Sequence, residues 1–240
     1  MTEATKTNLF GFSTEPSSGG DFTPIIKYDA RSGRMHRIDR VQDANGFSSE
    51  PVDITQSFKA VADFENIETG WIRFAADSPP SFALVKVGQQ RPAKPSDQHK
   101  DGIRLMLRLS AACGGDKPVR EIAGVAKSFL AGFEQAYAEY LREKDKYPGQ
   151  LPVLSLASTT PVTTGSGATK STNYRPNFRI DGWKPRPNDL VHIAAPAAAT
   201  TATNGSGIAP ATGGQTVPPP NTFKPAPVLQ ANTNLDDDFG

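Results

Sequence analysis

Cationic side chains recur beside flat aromatic ones in several strand-like stretches of this sequence. That combination suits unpaired nucleic-acid bases, because cations meet the phosphates and rings stack on the bases. From Ile103 to Ser110, Ile103, Leu105, Leu107 and Leu109 alternate with Arg104, Met106, Arg108 and Ser110. A period of two buries the first set and predicts that Arg104 and Arg108 are presented on the opposite face. Trp71 and Arg73 share a face of a second strand candidate, Gly70 to Ala75, and Lys86 lies near the end of a third, Phe82 to Val87. A hairpin tip carries Arg31 and Arg34, with His36, Arg37 and Arg40 close behind. Stacking a base on a ring is worth about 1–3 kcal/mol, and each neutralised phosphate adds about −0.7 to the log–log salt slope. Each residue also has a structural alternative. Trp71 can pack inward, Arg104 and Arg108 can form a solvated face, and the hairpin arginines can pair with Asp29, Asp39 and Asp43.

Catalytic patterns are weak by comparison. His36, His99 and His192 are far apart, and none has metal-ligand spacing with Cys113 or another histidine. Gly114-Gly-Asp-Lys117 lacks the full spacing of a phosphate loop and reads as a turn. Asp63, Glu65, Glu68 and Asp77 are scattered acids, of a kind found more often on solvated edges than in a two-metal site. The sequence reads as non-enzymatic, with no cofactor.

These residues need a β-rich body to position them. Strands are expected at Phe22–Tyr28, Arg34–Val41, Phe58–Phe64, Gly70–Ala75, Phe82–Val87, Ile103–Ser110, Leu151–Leu156 and Phe178–Trp183. Loops are expected at Asp43–Pro51 and Thr159–Lys170, and a mobile basic loop at Gln89–Asp101 holds Arg91, Lys94, His99 and Lys100. Ile122, Val125, Phe129, Phe133, Tyr137 and Tyr140 form one apolar stripe and predict a helix over 118–146, capped near Asp116. Gly124 and Gly132 each cost about 1 kcal/mol relative to Ala, which leaves two helices as the alternative.

Apolar residues make up 37% of the 240 positions, and the 21 glycines and 21 prolines concentrate toward the C-terminus. The reading is a flexible arm over 1–20, a folded domain over 21–187, a disordered Ala/Thr/Pro/Gly linker over 188–234 and an acidic tip over 235–240. Such a linker spans about 35–40 Å root-mean-square. Residues 1–187 carry 25 basic and 21 acidic groups, a net of +4, while the end of the chain is acidic. One cysteine precludes an internal disulfide and fits a reducing cytoplasm. Neither a secretory signal nor a run of about 20 apolar residues is visible, so no membrane partner is expected.

The tip, Leu235-Asp-Asp-Asp-Phe-Gly240, sets Asp236, Asp237 and Asp238 beside Phe239. Charges that steer and a ring that anchors suit a basic, apolar pocket on another protein; a solubilising tail accounts for the acids but not the ring. This arrangement resembles the single-stranded DNA-binding proteins of bacteria and their phages. In that family an OB-fold body binds DNA, and an Asp-rich tip ending in Phe binds replication and repair enzymes. The chain departs from the pattern in lacking a Pro before Phe239 and in ending on Gly240. The resemblance implies a β-rich α+β fold, an elaborated OB-fold-like barrel whose helix lies between the third and fourth strands. It also implies single-stranded DNA and proteins of replication, recombination or repair as partners, in the host cytoplasm if the protein is phage-encoded. A homo-oligomer is possible. The competing readings are a phage structural or assembly protein and, behind it, a metal-dependent nuclease.

Overall fold

The computed structural model describes residues 23–44, 46–76 and 78–193. The expected N-terminal arm, most of the expected linker, and the tip with Asp236, Asp237, Asp238 and Phe239 lie outside the described residues.

The described chain is mainly β with one long helix, as the patterning implied. In chain order the strands are β1 (Ile25–Asp29), β2 (Arg34–Asp43), β3 (Gly46–Asp53), β4 (Lys59–Ala62), β5 (Glu68–Ala75) and β6 (Ser78–Lys86). They continue with β7 (Lys100–Leu109), β8 (Val119–Gly124), β9 (Gln150–Thr164) and β10 (Ser171–Pro185). A single helical turn, α1 (Ala111–Gly114), follows β7, and the long helix α2 (Lys127–Glu143) follows β8.

All ten strands form one mixed sheet in the order β10-β9-β4-β7-β8-β1-β2-β3, with the β5–β6 hairpin attached to β7. The expected barrel closure is not present among the described residues: the sheet is open, ending on β10 and β3. The reason lies at β8. Its free side is taken by β1 in parallel register, Ile25 opposite Glu121, so a closing strand has no edge to join. β10 instead meets the β1–β2 turn, where Tyr174 N–H donates to the Ala30 carbonyl at 2.6 Å.

The core forms on the face that α2 covers. Leu105, Leu107 and Leu109 point into it, as their alternation predicted, and meet Phe129, Phe133, Ala136 and Tyr140 of the helix. Gly132 allows close docking on β10, since a Cβ there would lie 2.4 Å from the Pro176 carbonyl oxygen. Trp183 is buried in this core and stacks on Tyr147 at 4.8 Å.

Three expectations change. Residues 119–124 are a strand, not the start of the helix; pairing with β7 on one side and β1 on the other outweighs the helical stripe, and Ala126, not Asp116, precedes α2. The expected loop at Asp43–Pro51 contains β3, an exposed edge strand paired with β2. The expected Thr159–Lys170 loop is strand as far as Thr164, so β9 and β10 make a long hairpin.

Beyond β10 the chain turns back across the opposite face of the sheet as a strap, residues 186–193. Leu190 is buried there with Val61, Met106, Leu151 and Val153 in a second, smaller core. Arg186 anchors the strap, donating to both carboxylate oxygens of buried Asp63 (2.6 and 2.9 Å) and to Glu65 at 2.8 Å. These pairs raise the Arg186 pKa above its ordinary value. Residues 188–193, assigned by composition to the linker, thus pack on the sheet.

Candidate nucleic-acid interface

The sheet register places Thr69 opposite Ile103 and Trp71 opposite Asp101. Residues directly opposite share a face, so Trp71 and Arg73 continue, farther along β5, the face on which Ile103 and Leu105 lie. Loop 87–99 folds onto this extension. Trp71 Nε1–H donates to the Pro92 carbonyl at 2.9 Å. The Arg91 guanidinium lies 4.4 Å from the centre of the indole, and Lys94 Nζ lies 5.5 Å from it. Arg91 also donates to the Gly70 carbonyl at 2.9 Å and pairs with Asp101 at 2.7 Å. Arg73 donates to Gln98 Oε1 at 2.9 Å and Ser78 Oγ at 3.2 Å.

His99 is set between Ser96 Oγ and Ser81 Oγ, at 2.8 and 3.2 Å. Its pKa is lowered, first by burial and then by Arg73 and Lys94. The result is a half-buried indole with two cations over it, Arg91 and Lys94, both themselves exposed. Cations beside an accessible ring can hold a phosphate while a base stacks.

The other expected residues lie elsewhere. Arg104 is buried, 2% exposed, with Nη1 2.7 Å from Glu68 and Nη2 2.8 Å from Glu121. Its Nη1 also donates to the Ile193 carbonyl of the strap. Arg108 pairs with Asp189 of the strap at 3.0 Å. The expectation that Arg104 and Arg108 present an open cationic face is therefore corrected, because the strap and the Glu68–Glu121 pair cover that side of β7. Lys86 is exposed and donates to Asn66 Oδ1 at 2.6 Å, but register with Glu68 puts it on the face opposite Trp71.

At the hairpin, Arg34 pairs with Asp53. Arg37 turns toward the core side, donating to Asp39 and the Cys113 carbonyl beside buried Arg120. Burial lowers the Arg120 pKa despite the adjoining Asp39. Arg31 is exposed at the turn, where its backbone N–H is held by Asp29.

Of the eight expected nucleic-acid contacts, then, Trp71 and Arg73 come together, while Arg31, Arg34, Arg37, Lys86, Arg104 and Arg108 are dispersed. Arg91 and Lys94 join the site without having been singled out for it. The available signal was the density of cations in a loop that leads directly into the strand beside Trp71.

Among the described residues, no group of three or more His, Cys, Asp or Glu is placed to hold a metal ion. No helix among them is long and apolar enough to cross a membrane. No family model, curated protein or solved structure matches the chain.

Proposed function

We propose that this chain binds single-stranded DNA with broad sequence tolerance, without catalysing a reaction, as an accessory of replication or recombination. The observation that carries the reading is the half-buried Trp71 ring beneath Arg91 and Lys94, with Arg73 on the same face. The connectivity supports an OB-like reading of the body. Taking β4 and β5 as one interrupted first strand, β7 as the second and β8 as the third, α2 falls before the fourth, β9, and the fifth, β10. The neighbour order β10-β9-β4-β7-β8 is that of such a barrel, opened where β1 and β2 intervene. OB-folds bind oligonucleotides with the loops after the first and fourth strands. Here Trp71 lies on the second half of the first strand, and Arg91 and Lys94 belong to the excursion between the first and second strands.

In this proposal the tip, through Asp236, Asp237, Asp238 and Phe239, recruits other replication or recombination proteins. A mobility-shift titration on oligo-dT, duplex DNA and RNA, with and without Mg²⁺, tests the function. Tight oligo-dT binding without cleavage supports it, and a metal-dependent product would assign a nuclease instead.

A second reading, a phage structural or assembly protein, draws on β3. It is an exposed edge strand carrying Phe47, with Val41 exposed on its neighbour. Absence of binding to any nucleic acid in the same titration favours that reading.

A further inference from the structure

The face that carries Trp71 also borders a cavity of about 250 Å³ between α2 and the β5–β7 pair. Ile103, Leu130 and Tyr137 give it apolar walls, while the exposed Arg91, Asp101 and Glu134 line its solvent side. Arg91 is common to both features, since its guanidinium lies over Trp71 and also lines the cavity. The ring and the cavity therefore flank one cation. A phosphate held by Arg91 brings one nucleotide to the indole and the adjoining nucleotide to the cavity mouth. Pockets for drug-sized ligands measure roughly 300–1,000 Å³, so this smaller space suits a single base.

We propose that the cavity takes a nucleobase and favours bases with an exocyclic amine over thymine. The proposal rests on the single-stranded DNA reading and adds a base preference to it. Hydrogen-bond polarity sets the preference. Asp101 is engaged by Arg91, which leaves Glu134 as the carboxylate for an incoming base edge. An ionised carboxylate only accepts hydrogen bonds. Cytosine offers its N4 amino group, and Glu or Asp accepting from it is an established pairing. Thymine presents O4 and a methyl group at the same edge, and its one ring donor, N3–H, lies between two carbonyl oxygens that repel an approaching carboxylate, so it pairs with Glu134 less well than an amine does.

The test is an anisotropy titration of the full chain with labelled oligo-dC and oligo-dT of equal length, for the native protein and for Glu134→Gln. The native protein should prefer oligo-dC about tenfold, within the discrimination of a good polar pair. The Glu134→Gln amide both donates and accepts, so it should bring the two affinities within about twofold. Glu134 is exposed, so the change leaves packing intact. Equal native affinities, or a preference that survives Glu134→Gln, overturn the base pocket while leaving single-stranded binding in place. Failure of both oligonucleotides to bind removes the underlying reading as well.

Discussion

Arg91 rests on the Trp71 ring at 4.4 Å, and a cation–ring contact at a solvated site is worth about 0.5–1 kcal/mol. Stacking a base on the same ring is worth about 1–3 kcal/mol. Stacking is the stronger of the two ring contacts, so on the proposed reading a base can take the guanidinium's place over the ring while the pair with Asp101 at 2.7 Å keeps the cation beside it. Arg104 is a different kind of arginine. It neutralises two buried or nearly buried carboxylates, Glu68 and Glu121, and its removal leaves both without their cation. Breaking a buried pair this way costs about 3–5 kcal/mol. Arg104→Ala should therefore lower the urea midpoint sharply. A variant with native stability but lost DNA affinity would return Arg104 to the binding surface. Both arginines look alike in sequence. What separates them is a covering segment some eighty positions downstream, and strand alternation carries no information about it.

At the level of elements, the strap decides what the sheet exposes. Leu190 is 1% exposed in a socket made by Val61, Met106, Leu151 and Val153. Leu190→Ala should cost about 2–5 kcal/mol, as other large-to-small changes in well-packed sites do. Chemical denaturation reads this directly: a chain stopped after Pro185 should unfold at lower denaturant than one stopped after Ile193. Equal midpoints for those two truncations would show that the strap contributes nothing.

The alternation of β7 was legible because its leucines occupy every second position, and the body of α2 was legible from Phe129, Phe133 and Tyr140. The strap was not, because a single leucine among Pro, Asn and Asp has no period to detect. Strand β8 was hidden for a related reason. Ile122 extends the helical stripe, and only pairing with β7 and β1 settles its conformation. The open sheet follows from β1 occupying the free side of β8, a long-range parallel pairing that local sequence does not encode. For the site, Trp71 and Arg73 could be read from one strand, whereas Arg91 and Lys94 enter through a loop whose landing place depends on the tertiary fold.

Across the whole molecule, charge is divided between the two ends of the chain. Residues 1–187 carry a net charge of +4, and the last residues carry Asp236, Asp237 and Asp238. On the proposed reading, like charges keep such a tip away from DNA phosphates and leave it available to a basic partner. Deleting 235–240 should spare oligo-dT affinity, or tighten it slightly, while ending capture of replication or recombination proteins in a pull-down. Loss of DNA affinity on deletion would contradict that division of labour.

The most direct measurement uses the protein's own tryptophans. The chain has two, and Trp183 is buried, 8% exposed, and stacked on Tyr147. Any base that quenches emission by stacking must therefore act on Trp71. Titrating oligo-dT at low and moderate salt should give saturable quenching that weakens as salt rises. In Trp71→Ala the quenching should vanish and the affinity should fall at least about fivefold. Oligo-dT binding of unchanged affinity in Trp71→Ala, or no binding by the native chain, contradicts single-stranded DNA binding through this ring.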